Sequence, residues 1–272
     1  MSRKLFLIIF LFVVNIGANE RIISLSPSIT EIVYALGAGD EMVATSSYSL
    51  FPKKAQRLPI IGDATNQNIE KIISFFPSLV VGETFNINAL NKLKMLNIKT
   101  VMVKLQTIDD IKNSISILGR YLGKNKQALK LTDKITNAIK NAPKSKKPHS
   151  ILIVYGLSED LRSGIYVAGS NIFFDDIIKL SGNTNAYKNT KVEQAVLSYE
   201  NVIALNPDQI IILHSHATES KVNVKKALKA WYSLPTNAAK NSKISIVDEN
   251  YLDIPSDRIA FSITRLAREM ND

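Results

Sequence analysis

NIEKIISFFPSLVV, residues 68–81, and SYENVIALNPDQIII, residues 198–212, are two copies of one pattern. Each opens on a polar residue suited to capping a helix and carries a glutamate in the first turn. Each closes with proline, one or two polar residues and an aliphatic run. A helix that stops at proline and feeds a buried strand is one step of a parallel α/β lobe. Two copies this far apart predict two such lobes.

The first copy sits among strands expected near 21–25, 42–45, 79–82 and 100–103, with helices near 28–37, 68–75 and 86–96. The second sits among strands near 150–155, 210–214 and 243–247, with helices near 170–180, 198–205, 222–230 and 256–270. Between them Ile108, Ile111, Ile115, Leu118, Leu122, Leu129, Ile135 and Ile139 keep helical spacing across Gly119 and Gly123. Residues 108–142 therefore read as one long helix, closed by the polar break from Pro143 to Pro148. The expected fold is α/β, with two Rossmann-like lobes joined by one long backbone helix and a ligand cleft between them. Its parts are a signal peptide (1–18), an N-terminal lobe (19–107), the linking helix (108–142) and a C-terminal lobe (143–272). The C-terminal ends of parallel strands should face the cleft.

Arg3 and Lys4 precede an apolar run over 5–14, and Ile16-Gly17-Ala18 offers a cleavage site, so the opening segment reads as a secretory signal. The chain contains no cysteine, which excludes a disulfide framework and thiolate metal sites. Without a lipid-accepting cysteine, the expectation is a monomer free in the periplasm and not a lipoprotein. The formal charge is +10, or +8 once Arg3 and Lys4 are removed. The lysines are scattered apart from Lys144, Lys146 and Lys147, and no basic stripe alternates with aromatics, so nucleic acid is not an expected partner. A nucleophile elbow, an HExxH helix, a phosphate loop and a dinucleotide fingerprint are all missing. Asp175 and Asp176 are adjacent among Phe173, Phe174, Ile177 and Ile178, which makes theirs a packing helix. The chain is not expected to be an enzyme, and no intrinsic cofactor is expected.

In RIISLSPSITEIVYALG, residues 21–37, a strand runs straight into a helix. Ser28 or Thr30 is positioned to cap that helix. Free backbone amides then gather from Ser28 onward, beside Pro27, on the cleft wall. IIILHSH ends the strand near 210–214. In extended chain the period of two puts His214 and His216 on one side, where neutral imidazoles suit haem iron, cobalt or nickel. His149, beside the linker, reads as structural or exposed.

Taken together, RIISLSPSITEIVYALGAGDEMVATSSYSLFP, NIEKIISFFPSLVVG, LNIKTVMV, YVAGSNIFFDDIIKLSG, LSYENVIALNPDQIII and Trp231 followed by SLPTNAAKNSKISIVD resemble the helical-backbone (class III) periplasmic solute-binding proteins of ABC importers. The resemblance covers nearly all of residues 20–271. It implies capture of a metal chelate such as cobalamin, haem or a ferric siderophore, and delivery to an inner-membrane permease dimer powered by its ATPase. SSYSLFPKKAQ is most similar to the vitamin-B12-binding branch, which implies a corrinoid or other tetrapyrrole lying against Tyr48. Phe85, Tyr166 and Tyr251 fall in equivalent pocket loops. Where that branch carries pocket tryptophans, Ala64 and Gln194 stand, and its late polar contacts fall at Asn250 and Ile254. The haem branch's tyrosine loop reads Gly62-Asp63-Ala64-Thr65. The family meets permease arginines with one glutamate per lobe, which implies that role for Glu70 and Glu200; the helix dipole favours a carboxylate at both positions. Ligands of the same class remain open alternatives: a ferric siderophore, or a small nickel or iron chelate. So does a different class, a periplasmic ligand sensor or metal-storage protein on the same fold.

Overall fold

The computed structural model describes residues 20–63, 65–189, 193–214 and 222–271. The signal segment lies outside them, as do Ala64 and His216.

In the first lobe, β1 (Ile22–Ser24), β2 (Met42–Ala44), β3 (Leu79–Glu83) and β4 (Thr100–Val103) form a parallel sheet in the order β2-β1-β3-β4. The helices α1 (Pro27–Ala35), α2 (Ile69–Ser74) and α3 (Ile87–Met95) make the crossovers. Every strand therefore delivers its C-terminal end to one edge.

The stretch expected to be a single helix is two: α4 (Ile108–Tyr121) and α5 (Asn125–Lys140). Gly123 sits between them at φ +65, a conformation that ends a helix cheaply only for glycine. After it α5 folds back onto α4. At the contact, a Cβ on Gly119 would stand 2.4 Å from the Cβ of Ala128, so glycine alone permits the approach. The hydrophobic spacing continued across the turn because both helices bury a face in the same core.

The second lobe contains β5 (Ser150–Tyr155), β6 (Ile165–Ala168), α6 (Phe173–Leu180), β7 (Thr184–Asn185), β8 (Gln194–Leu197), α7 (Tyr199–Leu205), β9 (Gln209–Leu213), α8 (Val224–Tyr232), α9 (Asn237–Lys240), β10 (Ile244–Val247) and α10 (Ile259–Glu269). Its sheet runs β10-β9-β5-β6-β8, with β7 paired to β5. The strands β10, β9 and β5 are parallel, whereas β6 is antiparallel to both neighbours. The expected all-parallel pattern therefore fails on this side, because the chain returns from β5 through a short loop with no helix to cross over.

The two copies of the repeat share their caps and their last turn as well as their sequence pattern. Asn68 caps α2 by accepting from the Lys71 amide at 2.8 Å, and Ser198 caps α7 by accepting from the Asn201 amide at 3.3 Å. Both helices end on a left-handed residue immediately before the proline: Phe76 at φ +47 and Asn206 at φ +46.

One buried cluster runs through the molecule. It includes Ile22 and Ile29 of the first lobe, Ile111 and Ile115 of α4, Ile153 and Ile211 of the second sheet, and Leu266 of α10. The lobes thus share a core at their base.

Candidate functional site

The strand ends of both sheets face each other across the lobe junction. On the first-lobe wall, the cap of α1 is Ser26, whose Oγ accepts from the Ile29 amide at 3.3 Å, with Pro27 at the first helical position. Neither Ser28 nor Thr30 caps the helix. Ser28 is buried, and the Thr30 hydroxyl lies 2.6 Å from that of Thr45, which in turn donates to Ser49 Oγ at 2.9 Å. Ser46 Oγ is 3.3 Å from Ser49 Oγ. These hydroxyls tie the loop after β2 to the start of α1; they do not present a polar edge to solvent.

What the network holds up is Tyr48. It is 75% exposed and sits at φ +62, a left-handed backbone that a bulky residue adopts only when its surroundings impose it. The surroundings are explicit: the Ser47 amide donates to Gly62 O at 2.8 Å and the Leu50 amide to Tyr48 O at 2.9 Å. Leu50 and Phe51 beside it are also partly exposed, as is Phe85 in the short turn after β3. At the same strand end the Glu83 carboxyl is pushed up by burial, against a hydrogen bond from Ser26 that pulls the other way.

On the opposing wall Tyr166 is half-exposed on β6 and pairs with Tyr155 at the end of β5. Gln194 opens β8 and lines a junction cavity of about 190 Å³ with Leu105, Gln106, Tyr155, Ile172 and Phe173. Gln106 of the first lobe donates to Glu193 of the second across that junction. Tyr155 has no counterpart in the sequence reading. Burial raises its hydroxyl well above the ordinary tyrosine range, with Asp253 and Glu193 adding to the effect. Its strand looked like any buried aliphatic run, so nothing local distinguished it.

The lobes are also joined by a buried ion pair. Glu31 of α1 meets Arg258, just before α10, through Nε at 2.9 Å and through a second, closer contact at Nη2. Ser256 Oγ donates to the same carboxylate at 2.5 Å, and Asn250 Oδ1 accepts from Arg258 Nη1 at 2.8 Å. The guanidinium carbon lies 4.1 Å from the ring centre of Phe51 and 5.8 Å from that of Tyr251. Tyr251 is half-buried here, and Asn250 is already spent on the arginine. Ile254 is half-buried next to this cluster. Burial and the charge of Glu31 raise the adjacent Asp257 carboxyl to about 6.

His214 follows β9. Its amide donates to Val247 O at 2.9 Å, and its Nε2 is buried without a partner among the described residues. His216 lies outside the described residues, so their joint geometry does not enter. Among the described residues no group of three or more histidine or carboxylate side chains is arranged to hold a metal ion. His149 is structural, its ring nitrogens 2.9 and 3.1 Å from the carbonyls of Lys147 and Met270. Asp175 pairs with Lys179 at 2.7 Å, and Asp176 accepts from the Ile108 amide at 2.9 Å, so both carboxylates serve the packing.

Glu70 and Glu200 each occupy the second position of their helix, exposed. Hydrogen bonds from Tyr199 and then Ser198 hold the Glu200 carboxyl low. Since α2 and α7 both start where chain leaves the cleft-facing strand edge, one glutamate stands on that edge of each lobe.

The chain is 27% identical over 267 residues to an uncharacterized ABC transporter substrate-binding lipoprotein of Bacillus subtilis, YvrC, covering 92% of this chain and 80% of that one. It is 25% identical over 269 residues to the vitamin B12-binding protein of Yersinia pestis, covering 97% and 91%. Among solved structures, the periplasmic heme-binding protein RhuT of Roseiflexus sp. RS-1 superposes with a TM-score of 0.77 at 27% identity, covering 93% of this chain and 98% of that one. The family profile described as periplasmic binding protein matches residues 22–251. With the match spanning both lobes and the cleft between them, the chain belongs to the periplasmic binding protein family, as a binding protein and not an enzyme.

Proposed function

We propose that the protein captures a metal-bearing tetrapyrrole, a corrinoid first, between its lobes in the periplasm and delivers it to the permease of an ABC importer. The observation that carries this reading is Tyr48, held exposed on strained backbone at the first-lobe cleft edge while Tyr166 stands half-exposed on the second. Flat aromatic faces suit a macrocycle, and rigid support reduces the ordering cost of binding. The names of the vitamin B12- and heme-binding relatives support the same class. Pro27, Ser28, Phe85, Gln194 and Tyr251 complete the proposed lining. Glu70 and Glu200 are the proposed permease contacts, working by charge complementarity that fixes register and speeds encounter. The mature form begins near residue 19 and carries no lipid.

A small iron or nickel chelate, or a ferric siderophore, is the second reading, favoured by the unpartnered buried nitrogen of His214. An optical titration of residues 19–272 with cyanocobalamin, haemin and ferric siderophores separates the two. Saturable tetrapyrrole binding, weakened at least tenfold by Tyr48→Ala, is the expected result. Binding of a siderophore or metal chelate alone, lost in His214→Ala, replaces it with the second reading. Glu70→Lys combined with Glu200→Lys should abolish uptake and leave binding intact; unchanged uptake overturns the docking role of the two glutamates.

A further inference from the structure

Arg258 belongs to two systems at once, the lobe junction and the loop that carries Tyr48. All three guanidinium nitrogens are engaged in the plane of the group. Nε donates to Glu31 Oε2 at 2.9 Å and Nη1 to Asn250 Oδ1 at 2.8 Å. Nη2 donates to Glu31 Oε1 and, at 3.3 Å, to Asn250 O. What a guanidinium held this way still offers is its two flat faces. One of them lies against the ring of Phe51, with 4.1 Å from the guanidinium carbon to the ring centre. The arginine is only 6% exposed, so the contact is made by a largely desolvated cation, the setting in which ring and cation attract most strongly.

Phe51 stands three residues after Tyr48 in the loop that follows β2. On the near side of that loop Ser49 Oγ accepts from Thr45 Oγ1 at 2.9 Å and lies 3.3 Å from the hydroxyls of Thr30 and Ser46. On the far side the Leu50 carbonyl accepts from Gln56 Nε2 at 2.7 Å. All of these anchors belong to the first lobe. The ring of Phe51 instead rests on a group supplied by the second, fixed there by Asn250 and Ser256, whose Oγ accepts from the Arg258 amide at 3.2 Å. Lysine in that place would keep the charge for Glu31 but has no flat face to stack.

We propose that Arg258 is a positioning residue for the ligand: from the second lobe it holds Phe51, and through Phe51 the Tyr48 loop, in the binding conformation, so that parting the lobes also loosens the grip on the ligand. This rests on the reading of Tyr48 as a ligand contact, whereas the hold on the loop is a property of the unliganded protein.

Hydrogen exchange of the segment 46–57 in the unliganded protein, followed by mass spectrometry, tests the hold. Phe51→Leu leaves the ion pair intact and should speed exchange about fivefold within that segment, with α1 and α10 unchanged. Phe51→Tyr keeps the ring face and should exchange like the parent. In an Arg258→Lys background Phe51→Leu should add nothing, because the stack is already gone. Cyanocobalamin affinity, titrated optically, should follow the same pattern, with a loss of about fivefold in Phe51→Leu and none in Phe51→Tyr. Exchange indifferent to Phe51→Leu overturns the proposal, as does a full effect of Phe51→Leu in the Arg258→Lys background. Faster exchange with parental cyanocobalamin affinity in Phe51→Leu overturns it too. If the parent fails to bind cyanocobalamin while loop exchange follows the pattern, the corrinoid reading falls and the hold of Arg258 on the loop stands. If cyanocobalamin binds and exchange ignores every variant, the reverse holds. Should Arg258→Lys not fold, the contrast between Phe51→Leu and Phe51→Tyr still decides.

Discussion

At the scale of single residues, backbone strain separates positions that serve binding from positions that merely tolerate it. Phe76 is left-handed and 80% exposed, whereas the other copy of the repeat places Asn206 in the same conformation. Asparagine adopts that region more readily than phenylalanine. Phe76→Asn should therefore stabilise the protein by about 1 kcal/mol, read as a higher urea midpoint at unchanged slope. Tyr48 carries the same strain, yet Tyr48→Asn should raise stability while lowering ligand affinity, because there the side chain is what the loop exists to present. Asp257 makes a pH prediction. Its carboxyl titrates near 6 in the folded state, raised by burial and by Glu31. Between about pH 4 and 6 the native protein then binds a proton that the unfolded chain lacks, so this group's contribution to stability falls as pH rises and is flat above 6. The loss is about 2–3 kcal/mol, from the size of the shift. Comparison of Asp257→Asn with the parent across that window isolates it, since the variant cannot titrate.

At the scale of elements, the turn between α4 and α5 decides the architecture. Gly119 allows the helices to touch, and Gly123 allows the chain to reverse. Gly119→Val should cost about 1–3 kcal/mol by forcing Ala128 away, while Gly123→Ala should cost about 1 kcal/mol through its left-handed backbone. Chemical denaturation of the two variants checks both. A single continuous helix would reverse the expectation, since replacing an interior glycine by a better helix former would then stabilise.

At the scale of the whole molecule, the lobes are bound at the base by a common core and across the junction by Glu31, Ser256 and Arg258. Opening the cleft widely would strand a buried carboxylate and a buried guanidinium, so the cleft should be largely preformed. Glu31→Ala should destabilise the protein by about 3–5 kcal/mol, because it leaves Arg258 buried and unpaired. The double variant Glu31→Met with Arg258→Met should recover most of that loss. A double-mutant cycle on thermal unfolding measures the coupling, and additive effects would show that the pair does not hold the lobes together.

Local chemistry in the sequence was enough to determine the two lobes, the strand-helix alternation of the first and the helix positions of Glu70 and Glu200, while β6, β7 and β8 of the second lobe escaped it. Periodicity, capping residues and prolines act over a few residues and are written in order along the chain. The same signals misplaced the cap of α1 and fused α4 with α5, because a cap depends on which neighbour's amide arrives, and a glycine turn looks like helix when both sides bury a face. Tertiary structure alone decided the rest. The serines around Tyr48 turned inward because Thr30 and Thr45, fifteen residues apart, meet at 2.6 Å. The pairing of Glu31 with Arg258 joins residues 227 positions apart. Trp231 reaches the loop between Gly156 and Gly164 only once α8 has docked on the sheet. Such contacts follow from how surfaces close over a shared core, and no stretch of chain carries them by itself.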